Sequence, residues 1–144
     1  MPAMSTMPSR FLAIGATMAM LAVLLGAFGA HALRTILSLE RLTTYHTGVE
    51  YQFTAAIGLM IIGLFGRQCS GRNGDVTTGR RTDRLIAWAG GLMFIGIVLF
   101  SGSLYVIALT GMRAAGMITP VGGAAFIAAW GLLALAAWRD CRAA

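Results

Sequence analysis

The stretch LIAWAGGLMFIGIVLFSGSLYVIAL, residues 85–109, decides the fold. It carries no charged residue and lacks the two-residue alternation of a barrel strand. A helix needs roughly 20 mostly apolar residues to cross a bilayer. Lipid offers the backbone no hydrogen bonds, so a run of this length satisfies its amides internally, as a transmembrane helix. Working outward, three more such runs lie at about 11–33, 44–65 and 120–138. The predicted fold is therefore an all-α integral membrane protein, a single domain over residues 1–144 built as a four-transmembrane-helix bundle.

Composition agrees. The chain is 58% hydrophobic and only 11% charged, whereas a soluble domain carries about a quarter charged residues. The formal net charge of +6 comes from eleven arginines with no lysine. In a membrane protein such a balance sets orientation, so a nucleic-acid partner is not expected. The expected partners are the lipid bilayer and either further copies of the chain or a larger membrane assembly. Arg10, Arg67, Arg72, Arg80, Arg81, Arg84, Arg139 and Arg142 fall on one side, and Arg34, Arg41 and Arg113 on the other. The positive-inside rule then places both termini in the cytoplasm. Trp88 and Trp138, beside Arg84 and Arg139, fit an interfacial belt there, with Tyr45 and Tyr105 near the opposite interface.

The connections carry their own signals. Ser38 is placed to cap the second helix, with Glu40 in its first turn, and Thr119-Pro120 reads as the start of the fourth. GRQCSGRNGDVTTGRRTDR, residues 66–84, reads as a flexible polar cytoplasmic loop. Cys69 and Cys141 lack a second ligand at metal-binding spacing and read as reduced thiols. Arg10, the first apolar run and Ala30-His31-Ala32 imitate a cleavable signal peptide, but the run is longer than most such cores and reads as a retained helix.

Helices in lipid associate by close packing of small residues rather than by the hydrophobic effect. Ala22, Gly26 and Ala30, with Gly29 alongside, form an expected ridge on the first helix. Gly91, Gly96 and Gly102 serve the third, and Gly122, Gly123, Ala125 and Ala129 the fourth.

Ionisable groups within a membrane are costly and are functional candidates. Glu50, in TYHTGVEYQFTAA (44–56), stands out. Three readings stay open: a hydrated interfacial group paired with His46, a buried group bonded to hydroxyls of other helices, or a carrier of protons or cations. At about 100° per residue, Thr47, Glu50, Thr54 and Gly58 form one stripe, while Gln52 points elsewhere. Ser101 and Tyr105 share a face of the third helix and offer hydroxyls to Glu50 or Gln52. His31, His46, Glu50, Gln52, Ser101 and Tyr105 thus form a candidate polar cluster, read as satisfied side chains at the bundle's outer rim. Paired carboxylates, GxSxG, HExxH and the phosphate-binding glycine loop are all absent, so neither catalysis, a metal nor a cofactor is expected.

Four blocks in order, GAFGAHAL (26–33), TGVEYQF (47–53), LFSGSLYVIALT (99–110) and ITPVGGAAFIAAW (118–130), resemble the YgdD-like small inner-membrane proteins, the domain of unknown function numbered four hundred and twenty-three. The resemblance implies a small four-helix inner-membrane protein and no established activity. Relatives commonly carry a histidine three positions beyond the glutamine, where this chain has Ala55, which weakens a metal or proton pair with Glu50. The expected function is a non-enzymatic structural or accessory membrane component. The alternative is a small transporter or channel for protons, cations or a small solute, using a polar pocket around Glu50.

Overall fold

The computed structural model describes residues 6–72 and 76–143. Helix α1 is Thr6–His31, followed by a short 3-10 turn, Leu33–Thr35. Helix α2 is Leu39–Arg72 and helix α3 is Val76–Gly96. A π turn, Ile97–Ser101, joins α3 to helix α4, Gly102–Thr110; a 3-10 turn, Arg113–Met117, leads into helix α5, Thr119–Ala143. Four stretches are long and apolar enough to cross a membrane: Met7–Thr35, Leu39–Cys69, Arg81–Thr110 and Arg113–Arg139. The chain is an all-α membrane protein with four such spans.

Helix α2 is the centre of the bundle. It packs on α1 along one side and on α3 and α4 along the other, while α5 packs mainly on α3 and the π turn. The core runs from Cys69 and Ile86 through Met93 and Leu59 to Ile97, Phe126 and Ala129. Tyr51, Phe100 and Phe126 stack at ring separations of 4.6 to 6.3 Å and close the gap between α2, the π turn and α5. Outward positions are apolar as well, among them Met20, Val23, Leu24, Ile61, Trp88 and Ile127. Such a coat suits hydrocarbon rather than water.

Ser38 caps α2, its Oγ accepting from the Arg41 amide at 3.5 Å and its carbonyl from Leu42 at 2.9 Å. The Thr119 hydroxyl goes instead to Ser103 of α4, 2.7 Å away. Helix α4 ends on Gly111 at φ 76°, the left-handed closing conformation that glycine adopts without a side-chain penalty. The polar stretch 66–84, expected as a loop, is helix through Arg72 and again from Val76. Packing explains the difference: buried Cys69 joins the same cluster as Ile86, so the contact between α2 and α3 continues past the apolar span. Cys141 falls where side chains lie outside the description, and so do Arg72, Arg80 and Arg142.

Helix α1 meets α2 through Pro8, Gly15, Ala22 and Gly29, all buried and seven residues apart. Seven residues rotate the helix by about −20°, so this row keeps facing its antiparallel partner. The expected ridge of Ala22, Gly26 and Ala30 drifts by about 80° over eight residues, and Ala30 is exposed. A Cβ on Gly29 would meet Tyr45 at 2.7 Å, and one on Gly26 would meet Val49 at 3.3 Å. Gly122 abuts the Phe100 backbone, a Cβ there falling 2.8 Å from Phe100 Cα, whereas Gly123 makes only ordinary contact at 3.7 Å. Gly102 and Gly91 have open space around them and do not serve helix contact as expected. Alanine at either position is therefore expected to leave stability within about 0.5 kcal/mol or raise it slightly through helix propensity. Thermal unfolding of Gly91→Ala and Gly102→Ala in detergent checks this, and a large loss would contradict the open packing.

Candidate functional site

The six residues of the candidate cluster divide between the inside and the outside of the bundle. Gln52 is buried and is the hub of the inner group. Its Nε2 donates to the Met18 carbonyl of α1 at 3.0 Å, and its Oε1 accepts from the Tyr105 hydroxyl of α4 at 2.8 Å. One side chain thereby ties three helices together. Tyr45, fully buried, donates to the Leu25 carbonyl at 3.0 Å and lies 5.1 Å from the Tyr105 ring, centroid to centroid. Both tyrosines thus spend their hydroxyls on the interior of the bundle. Gly48 makes room for the Tyr105 ring, since a Cβ there would meet Tyr105 Cε1 at 2.9 Å.

Ser101 is also buried, but its hydroxyl has no hydrogen-bond partner and reaches neither Glu50 nor Gln52. An unpartnered buried hydroxyl costs free energy, whereas its removal leaves little to lose. Ser101→Ala is therefore expected to be neutral or to stabilise by about 1 kcal/mol. Chemical or thermal unfolding measures it, and a clear destabilisation would show that the hydroxyl is used.

The other members face outward. His31 is exposed in the last turn of α1. His46 and Glu50 are exposed on α2, with Phe53, Thr54, Ile57, Ile61 and Leu64 continuing the same face. Gln52 lies about 160° around the helix from Glu50. Among the described residues neither His46 nor Glu50 forms an ion pair, although the His46 ring makes an edge contact with Tyr45 at 6.1 Å. Gln52 bonds at the level of Met18 and Val49 lies against Gly26. Glu50 is therefore level with the stretch 22–25, near the middle of the Met7–Thr35 span. Ala55 is buried in the core, about 140° from Glu50. A histidine at position 55 would face the helix contacts rather than the carboxylate, so the departure removes no partner that Glu50 had on its own face.

Sequence reasoning missed Ser103, whose hydroxyl donates to the Phe100 carbonyl at 2.8 Å in addition to meeting Thr119. The signal was its isolation as a second serine in an apolar run. Ser103 also borders an open depression of about 410 Å³ at the end of the bundle where the chain turns through 113–117, lined otherwise by apolar groups such as Val98, Val106, Met112 and Ile118. None of the six cluster residues lines it. No group of three or more metal-binding side chains gathers among the described residues.

A family model described as "Protein of unknown function (DUF423)" matches residues 25–123. The membrane protein YwdK of Bacillus subtilis is 46% identical over 127 residues, covering 88% of this chain and 94% of its own length. The membrane protein SH2409 of Staphylococcus haemolyticus is 41% identical, covering 90% and 95%. The inner membrane protein YgdD of Escherichia coli is 39% identical over 134 residues, covering 92% and 93%. No solved structure matches significantly. The matched region takes in the Gln52–Tyr105 bridge, the π turn and Glu50 together, and the chain belongs to this family of membrane proteins of unknown function, DUF423.

Proposed function

We propose that the chain is a non-enzymatic structural or accessory component of the bacterial inner membrane that works by lateral assembly, with both termini cytoplasmic. The observation that carries this reading is the division of polar groups. Inside, Gln52, Tyr105 and Tyr45 spend their hydrogen bonds on one another and on neighbouring backbone. The titratable pair His46 and Glu50 is turned outward, on a helix face that none of the described residues covers. Transport through a single chain draws no support from this arrangement, because Glu50 and the Gln52–Tyr105 bridge lie on opposite sides of α2. The arginine distribution and the exposed Trp88 and Trp138 support the cytoplasmic placement of the termini.

Native mass measurement after mild-detergent extraction tests the assembly. A stoichiometric complex is expected, of one chain type or two. A monomer at all concentrations, with no crosslinked species in intact membranes, would contradict it. For orientation, a reporter active only in the cytoplasm is expected to work when fused after Ala144, and one active only outside to fail.

A further inference from the structure

The geometry points to a second copy of this chain as the occupant of the His46–Glu50 face of α2, an inference that rests on the assembly reading above. Glu50 lies about 16 Å along the helix axis from Leu39, the twelfth of the 31 residues of the Leu39–Cys69 span, so its short side chain does not bring the carboxylate to the end of the span. A carboxylate facing hydrocarbon at that level is expensive, and such groups turn toward protein partners. The outward face of α1 at the same level, with Met20, Val23 and Leu24, is apolar and satisfied by lipid. The α2 face is not.

Charge complementarity selects the partner. His46 stands one turn before Glu50 on the same face, so this face carries its own complement. Two copies inserted with one topology are related by a two-fold axis along the membrane normal, with their α2 helices parallel and in register. His46 of one copy then differs in height from Glu50 of the other by about 6 Å. At interaxial distances of about 8–10 Å, that is the diagonal reach used by interhelical pairs flanking a parallel coiled-coil seam. The two-fold forms the contact twice. Further along, Phe53, Ile57 and Leu64 meet their own counterparts and continue the seam.

The test is photo-crosslinking in intact membranes, with a benzophenone amino acid replacing Ile57, or Leu24 on the exposed face of α1 as the control. An adduct of twice the chain mass is expected from position 57 and not from position 24. His46→Glu and Glu50→His are each expected to reduce it by roughly tenfold, because the diagonal contact between positions 46 and 50 then joins two groups of one kind. The double exchange H46E/E50H restores complementarity and is expected to restore the adduct, which separates lost pairing from lost folding. Single variants without effect, or an exchange without rescue, would overturn the inference. An equal adduct from position 24 would move the interface elsewhere. An adduct of another mass at position 57 would overturn the second copy while sustaining the accessory reading. No adduct at either position, with a monomeric native mass, would overturn both.

Discussion

Gly63→Ala is expected to destabilise the protein by about 2 kcal/mol, and Gly63→Val by about 3 kcal/mol or more. Helix α1 crosses α2 with backbone against backbone at this point. A Cβ on Gly63 would sit 2.7 Å from both the Leu12 amide nitrogen and the Pro8 carbonyl oxygen. Neither atom belongs to a flexible side chain, so the added methyl has to move α1 bodily. One turn-pair away, Gly15 presents the reciprocal contact, its Cβ falling 2.8 Å from the Ala56 carbonyl oxygen. Alanine gains about 1 kcal/mol of helix propensity over glycine, and the lost interface outweighs it. The consequence extends along the helix, because α1 is held almost wholly by α2. Unfolding by SDS titration in mixed micelles reads the loss, and a Gly63→Ala variant as stable as the parent would refute the backbone contact. Gly91→Ala and Gly102→Ala, the same chemical change in open space, are the internal control.

Gln52→Leu is expected to cost about 2 kcal/mol. It removes two interhelical hydrogen bonds, each worth about 0.6–1.7 kcal/mol in membrane proteins, and leaves the Tyr105 hydroxyl without its acceptor. Tyr105→Phe alone is expected to cost about 1 kcal/mol, since Gln52 keeps its bond to Met18. The double variant is expected to lose less than the sum of the singles by about 1 kcal/mol, the coupling of groups in direct contact. Additive losses would show that the Gln52–Tyr105 bond carries no net energy. Glu50→Gln, two residues away but facing outward, is expected to leave the stability of the single chain nearly unchanged in detergent.

Much of the architecture was legible in the sequence. An uninterrupted apolar run such as 85–109 has only one inexpensive solution in lipid. Ser38 announced the start of α2 because unmet amides there call for such a side chain, and Pro120 that of α5 because proline in the first turn gives up no helical hydrogen bond. Glu50 and Gln52 were recognisable as unusual because polar groups in hydrocarbon need a reason. Less legible was the division between them. Gln52, placed away from the Glu50 stripe, is the hub of the interior, and Tyr45 and Tyr105 turn inward with it. The helical reach of 66–72 and 76–84 was hidden because the glycines and threonines of this stretch signal a loop, while the burial of Cys69 against α3 supplies the packing that overrides them.

The number of spans, their places in the chain and the strangeness of a glutamate within one of them were determined by the sequence alone, through the length and polarity that a bilayer demands. Which face of each helix is inside was decided only by the tertiary structure. In water an apolar stripe marks the buried face, but lipid is as apolar as a protein interior. The outward Ile57 and Ile61 and the inward Leu59 and Ile62 therefore look alike in sequence, and so do the tightly held Gly63 and the free Gly102. Only the approach of a neighbouring helix distinguishes them.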